Sequence, residues 1–330
     1  MEILLKNNRN IVYNVMSCLS FSERYNLCVT NKDYIENKFK KYKHQELIEI
    51  EFKDHFLSKK WLNIKFKINI LQKNITDVSM LGNVNTLDLS WCNNLKDISM
   101  LGNVHTLKLS YCENIKDVSM LGNVNTLDLF LCNNLKDISM LGNVHSLKLS
   151  GTNITDVSML GNVNTLDLSW CNNLKDISML GNVHTLKLSY CKNITDVSML
   201  GNVNTLDLSW CKNLKDISML GNVHSLKLSG TNITDVSMLG NVHTLNLYWC
   251  TEITDVSMLG NVNNLNLYNC QKITDVSMLG KVHTLSLFWC CNIKDVSMLG
   301  NVRTLNLTLC NKIPKYQIIE LKKTVKNLKY

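Results

Sequence analysis

The 330-residue chain holds thirteen cysteines and eight histidines, residue types that ligate metals, form disulfides or act as nucleophile and base. Their spacing argues against each of these chemistries. Ten of the cysteines (Cys92, Cys112, Cys132, Cys171, Cys191, Cys211, Cys250, Cys270, Cys290 and Cys310) occupy one position of a repeat. A zinc site needs ligands as close as C-x-x-C, and the adjacent Cys290 and Cys291 point to opposite sides of the chain. Disulfide frameworks belong to small secreted domains. The ten therefore read as small buried packing groups whose S–H donates weakly to backbone carbonyls. At Gly151-Thr152 and Gly230-Thr231 the threonine hydroxyl is expected to take the thiol's place. His105, His145, His184, His224, His243 and His283 fill one outward position that alternates with asparagine. Alternate copies stand about 10 Å apart, too far to share a metal. Every serine and histidine of the repeats recurs in equivalent surroundings, so no catalytic constellation emerges. The expectation is a chain that is not an enzyme and has no cofactor and no metal.

What positions these residues is the repeat itself. An aspartate opens each copy, at Asp77, Asp97, Asp117, Asp137, Asp156, Asp176, Asp196, Asp216, Asp235, Asp255, Asp275 and Asp295, giving nine steps of 20 residues and two of 19. A fixed period of this length marks a solenoid, in which one turn of chain cannot bury its apolar residues without neighbours above and below. Within a copy, Val84, Leu87, Leu89, Cys92 and Leu95 spell L-x-x-L-x-L-x-x-C-x-x-L, the leucine-rich-repeat pattern. The period-two alternation at Leu87 and Leu89 predicts a short strand with Thr86, Asp88 and Ser90 facing out, stacked into a parallel concave sheet. On the return path Asp77 stands as an N-cap for Val78-Ser79-Met80 and Gly82 as the stop of a single helical turn. Val78 and Leu81 should face the core, with Met80 half covered. The predicted fold is an α/β solenoid with the sheet on its concave side and short helical turns on its convex side.

The middle outward strand position reads Asp88, Lys108, Asp128, Lys148, Asp167, Lys187, Asp207, Lys227, then Asn246, Asn266, Ser286 and Asn306. Like charges stacked about 5 Å apart would repel, and alternation removes the repulsion. Self-neutralisation is favoured over a charged-ligand site, since an exposed pair contributes only about 0–1 kcal/mol. The position before each cysteine is rich in aromatic residues: Trp91, Tyr111, Trp170, Tyr190, Trp210, Trp249 and Trp289, supplemented by Phe130, Tyr248, Tyr268 and Phe288. Two readings fit this row. It forms the hot spots of a protein interface, or it stacks on itself as a stabilising ladder. The neutral, aromatic stretch from Asn246 to Phe288 is the preferred target-binding patch, on the concave face and its rim.

Residues 1–74 hold 14 Lys and Arg against 8 Asp and Glu, residues 75–310 hold 15 against 18, and residues 311–330 hold 6 against 1. The repeats are thus near neutral, which disfavours a nucleic-acid partner. No apolar run reaches membrane-spanning length, and Met1 to Asn8 turns polar too soon for a secretory signal. The expected protein is soluble and cytoplasmic or nuclear, not secreted and without a membrane partner. Residues 77–155 and 156–234 differ at only five of 79 positions. Such duplication serves avidity for an extended target, or it records drift in copy number.

Residues 1–45 lack the repeat. Ile11, Val15, Met16 and Leu19 lie on one helical face, and Ser20-Phe21-Ser22-Glu23 forms a capping box for a second helix carrying Tyr25, Leu27 and Val29. This arrangement, over about 25 residues, resembles an F-box, with Asn8-Arg9-Asn10 where that family begins with Leu-Pro. Cys191-Lys192-Asn193-Ile194-Thr195-Asp196 and its equivalents at Cys250 and Cys270 are similar to the cysteine-containing leucine-rich repeats found behind an F-box. The resemblance implies a substrate-recognition adaptor of a Skp/cullin/F-box ubiquitin ligase. Ile11, Val15, Met16, Leu19, Tyr25, Leu27 and Val29 would then form the adaptor-binding segment, and the protein would be a monomer outside that complex. The alternative is a protein-interaction scaffold in which the N-terminal segment is only a cap.

Residues 46–74 read as a connector and degenerate capping rung, with the strict alternation of Ile64 to Ile70 predicting a strand. Residues 75–310 form the twelve copies. After Pro314, Ile318, Leu321, Val325 and Leu328 predict a basic amphipathic helix over residues 311–330 that covers the last rung, preferred to a membrane-surface role.

Overall fold

The computed structural model describes residues 67–69, 75–82 and 84–330. They form one parallel sheet of fourteen strands in strict sequence order, from β1 (Lys67–Asn69) to β14 (Asn327–Lys329). Each strand is three residues long, and the register never slips: in β2 (Thr86–Asp88), Leu87 faces Ile68 on one side and Leu107 on the other. At about 4.8 Å per strand the sheet runs roughly 60 Å. Two strands therefore lie beyond the twelve copies, one contributed by each flank. The N-terminal F-box-like residues lie outside the described residues.

Between strands the chain returns through 3-10 turns such as Ser178–Asn182, held by Leu180 N–H to Ile177 carbonyl at 3.0 Å and Val183 N–H to Leu180 carbonyl at 3.1 Å. The sequence between aspartate and strand is too short for a longer helix. Every inward side chain of one copy is closed off from water: Val183, Leu186, Leu188, Cys191, Ile194, Val197 and Leu200 are each at most 1% exposed. Each such residue contributes about 1.5–3 kcal/mol through burial. The contribution exists only because the neighbouring rungs supply the covering surface.

Two local expectations are corrected. The aspartate is not the N-cap of the turn. That position belongs to Val78 and its equivalents, with no side-chain cap bond. The carboxylate instead accepts the N–H of the serine two residues on, as in Ser178 N–H to Asp176 Oδ1 at 3.0 Å. This is an Asx turn that sets the chain direction before the helical turn begins. Nor is the glycine a left-handed stop: Gly82, Gly122 and Gly161 have φ of −60°. Glycine is required because the backbone of the next rung passes over it. A Cβ on Gly201 would sit 2.5 Å from the Met219 carbonyl oxygen.

The shortened copies leave a mark on the core. Leu135 and Leu214, just before them, are only partly buried, and Ile138 and Ile217 rise to 8% exposure. The 19-residue copy has one residue fewer with which to cover its neighbour. Thr152 does enter the core, but its hydroxyl donates to Leu149 of its own rung at 2.7 Å. The cysteines reach back to the preceding rung, so the replacement is steric rather than a copy of the bond.

The C-terminal segment also departs from expectation. Helix α1 spans Lys315–Thr324 and ends there; Asn327–Lys329 then forms β14 against Thr304–Asn306. Leu321 and Val325 join the core, while Leu328 lies opposite Leu305 in the sheet and is partly buried. The Gln317 side chain closes the last turn, accepting Val296 N–H at 2.8 Å and donating to Asp295 at 2.9 Å.

Gly201→Ala should destabilise the array by about 1–3 kcal/mol, the range for overpacking against a neighbour that cannot yield. Thermal unfolding followed by circular dichroism checks this. An unchanged midpoint would show that the rungs separate at little cost.

Candidate functional site

The strand ends in a left-handed residue, and this residue carries the aromatic row. Trp91, Tyr111, Leu131, Trp170, Tyr190, Trp210, Trp249, Asn269, Trp289 and Leu309 all have φ between 57° and 72°. Bulky residues rarely adopt this conformation, which costs about 1–2 kcal/mol. Glycine holds the equivalent position at Gly151 and Gly230, where φ is also positive. The turn is fixed on both sides by the sheet: Trp170 N–H donates to the Ser189 carbonyl at 2.8 Å, and Ser169 N–H donates to Asp167 Oδ1 at 3.0 Å. Asp88, Asp128 and Asp207 accept the N–H two residues on in the same way, as do Asn246, Asn266 and Asn306. Replacing aspartate by asparagine in the later rungs thus removes the charge and keeps the turn.

In the first two-thirds of the array the rings stack. Trp91 lies 3.7 Å from Tyr111 and Trp170 lies 4.0 Å from Tyr190, each pair within 10° of parallel, and Tyr190 continues to Trp210 at 5.7 Å. Pairs of this kind contribute about 0.5–1.5 kcal/mol, enough to offset much of the backbone cost. Glycine leaves a space that the preceding side chain fills. Leu131 lies across Gly151, and Trp210 lies across Gly230 to meet Trp249 at 6.0 Å.

From Tyr248 onward the arrangement changes. Tyr248, Tyr268 and Phe288 add a second row beside Trp249 and Trp289, with Tyr248–Tyr268 tilted by 52° and Tyr268–Phe288 edge-on at 85°. Asn269, where another ring would stack, is 8% exposed and tucked against Gln271. Trp249 and Trp289 therefore stand two rungs apart, 40% and 41% exposed against 47% and 50% for the stacked Trp91 and Trp170. The strands beneath are uncharged, at Asn246, Asn266, Ser286 and Asn306. Of the ten residues expected to bind a target, five are gathered here. Trp91, Tyr111, Trp170, Tyr190 and Trp210 stand earlier in the stacked ladder, with Trp91 and Trp170 also exposed. Ile11, Val15, Met16, Leu19, Tyr25, Leu27 and Val29 lie outside the described residues.

Elsewhere on the concave face, Lys148, Lys187 and Lys227 lean to Asp128, Asp167 and Asp207 of the preceding rung at 3.6, 4.0 and 3.8 Å. Lys148 also lies over the Phe130 ring at 4.5 Å. The charges there are spent on one another.

The cysteine ladder is structural. Cys112 and Cys132 donate to the Leu89 and Leu109 carbonyls at 3.2 and 3.1 Å, and the same bond recurs along the array. Burial pushes the thiols up, to about 12 at Cys112, Cys132 and Cys290 and about 11 at Cys92, Cys211 and Cys310. Cys291 stands outside the ladder, half-buried. Among the described residues no group of three or more His, Cys, Asp or Glu is placed to hold a metal ion. The histidine row does hold one departure from the expected alternation: His224 and His243 are neighbours, with rings 4.7 Å apart.

A stripe of methionines was not anticipated as exposed. Eleven, from Met100 to Met298, are each 57–61% exposed, one per rung on the helical turns. The sequence signal was present in the invariant Ser-Met-Leu-Gly, where Leu is inward and its neighbour must face out. No helix among the described residues is long and apolar enough to cross a membrane.

The chain matches no protein-family model, and no curated protein sequence matches it. Solved structures share its architecture. An internalin of Listeria monocytogenes is 23% identical, with a TM-score of 0.50, covering 78% of this chain and 81% of the internalin. The protein of the TLR13–ssRNA13 complex is 17% identical, with a TM-score of 0.51, covering 82% of this chain and 57% of that one. At these identities the likeness shows the fold, a leucine-rich-repeat solenoid.

Iodoacetamide at pH 8, mapped by mass spectrometry, should modify Cys291 in the native protein and leave the ten ladder thiols unmodified until the array unfolds. Equal labelling of Cys191 and Cys291 would show that the ladder opens locally.

Proposed function

We propose that this protein is a non-catalytic protein-binding scaffold whose partner sits on the concave face and rim at Tyr248, Trp249, Tyr268, Phe288 and Trp289. The observation that carries this reading is the break in the aromatic ladder. Rings that stack in one line earlier in the array here form a double row of tilted and edge-on contacts over three rungs of uncharged strand. Clustered, partly exposed aromatic side chains are the groups from which interface hot spots are made. A nucleic acid needs cations for its phosphates. This patch has none on its strands, and Lys148, Lys187 and Lys227 of the earlier rungs are paired with aspartates.

The test is affinity capture with the full chain, comparing wild type with Trp249→Ala/Tyr268→Ala/Trp289→Ala. A partner retained by wild type and reduced at least tenfold by the variant is expected, with unchanged retention by Trp91→Ala. Equal retention by both variants would move the site elsewhere.

A narrower reading rests on the F-box resemblance of residues 11–34: the scaffold is the substrate-recognition subunit of a Skp/cullin ubiquitin ligase. Co-purification of the full chain with a Skp-type adaptor tests it. Binding abolished by Leu19→Asp and Tyr25→Asp is the expected result, and no binding at tens of micromolar rejects this reading while leaving the scaffold intact.

A further inference from the structure

The exposed methionine stripe lies apart from the aromatic patch, and nothing in the scaffold reading uses it. Exposed contiguous apolar surface of several hundred Å² is uncommon on soluble proteins and marks interaction sites. Methionine is suited to this, because a flexible thioether adapts to differing partners. The stripe is bordered by the row of aspartates, one per rung, each held charged by hydrogen bonds from the serine two residues on.

The stripe is not uniform along its length. The residue before each aspartate is lysine at Lys96, Lys116 and Lys136, so those rungs carry a cation next in sequence to the carboxylate. At Thr234, Thr254 and Thr274 it is threonine, the one run of three copies without a lysine at that position. Here a depression of about 240 Å³ opens between rungs, lined by Asp235, Asp255 and Met258 among others. A comparable depression of about 190 Å³ at Asp137 and Asp156 has Lys136 in its own wall. Lysine returns to that position at Lys294, and Lys281 ends the 3-10 turn that carries Met278.

We propose that Met238, Met258 and Met278, with the carboxylates beside them, form a docking surface for a cationic amphipathic helix of another protein. The geometry is commensurate. Rungs repeat at about 4.8 Å and an α-helix turns once in 5.4 Å, so a helix lying along the stripe presents one apolar side chain to each methionine. The two repeats drift out of phase over longer stretches, which limits the match to three or four turns. The three methionines are 60%, 60% and 61% exposed, so they offer apolar contact without rearrangement. Lysine or arginine side chains of the helix lay their methylenes on methionine and carry the cation to the aspartates. A second copy of this chain is a poorer occupant, because it brings its own row of carboxylates to the interface.

The test uses the full chain and a fluorescein-labelled 14-residue peptide of leucine and lysine, with leucines at helical spacing. Fluorescence anisotropy should show saturable binding that weakens with salt. The same composition in alternating order should bind at least tenfold more weakly, as should a leucine/glutamate counterpart. Met238→Gln/Met258→Gln/Met278→Gln should weaken binding at least tenfold. Asp235→Asn/Asp255→Asn/Asp275→Asn, which keeps the oxygen that accepts the serine N–H, should weaken it at least threefold at low salt. Met100→Gln/Met120→Gln/Met140→Gln, on lysine-flanked rungs, should change it less than twofold, and Trp249→Ala not at all. Equal effects of the two methionine triples, or equal binding of the alternating peptide, would overturn the proposal. Sedimentation of the chain alone completes it: a dimer dissolved by the Met238, Met258 and Met278 substitutions would assign the stripe to a second copy and overturn it too.

Discussion

The structure depends on one constraint, the in-register stacking of each rung on the next. Leu186 is buried because Leu166 and Leu206 flank it in the sheet, and each of those is buried for the same reason. No rung closes its own core, so stability is shared between neighbours. The ends must therefore be built differently. At the C-terminus the structure supplies Leu321 from a helix, Val325 just after it, and one more strand, which carries Lys329 and follows Lys326. Cationic residues on an edge strand discourage end-to-end addition of another sheet.

Stacking also multiplies every surface choice. A residue placed outward in one copy becomes a row with a spacing of about 5 Å, so its interactions with itself decide whether the row is tolerable. Alternating aspartate and lysine is one solution on the concave face, and asparagine in the later rungs is another. Asparagine preserves the acceptor that shapes the left-handed turn, as Asn246 shows for Tyr248. The aspartates of the convex edge are a row that is only partly relieved, by lysines at some copies and not at others. Aromatic residues at the left-handed position gain from repetition, since each ring finds a partner one rung away.

Function on such a scaffold arises where repetition is interrupted. Asn269 interrupts the ring ladder, leaving Trp249 and Trp289 apart beside Tyr248, Tyr268 and Phe288. Threonine at positions 234, 254 and 274 interrupts the lysines that offset the convex aspartates. Both interruptions fall in the same third of the array, on opposite sides of the solenoid. The near-identical blocks of residues 77–155 and 156–234 lack the first, and of the second they hold Thr155, Thr195 and Thr234 but no run of three. Their differences, such as Phe130 against Ser209 and Leu131 against Trp210, alter packing around the two glycine positions.

The sequence alone determined the period, the strand positions and the inward set, because burial in a solenoid follows directly from spacing: Leu87, Leu89 and Cys92 could face no other way. It also placed the aromatic row and the uncharged stretch beside it. Tertiary structure decided what the neighbours do to each residue. The glycine of each turn reads locally as a helix stop, and only the passage of the next rung's methionine carbonyl shows why a side chain cannot fit. The aromatic row allowed a stacked ladder or an interface, and ring arrangement differs along the array, stacked in line before the gap at Asn269 and tilted in a double row around it. The C-terminal apolar period looked helical to its end, yet Leu328 pairs in the sheet because the strand Thr304–Asn306 offered an open edge. Methionine hydropathy suggested partial cover, but the 3-10 turn spends its inward positions on valine or isoleucine and leucine, leaving the thioether in solvent.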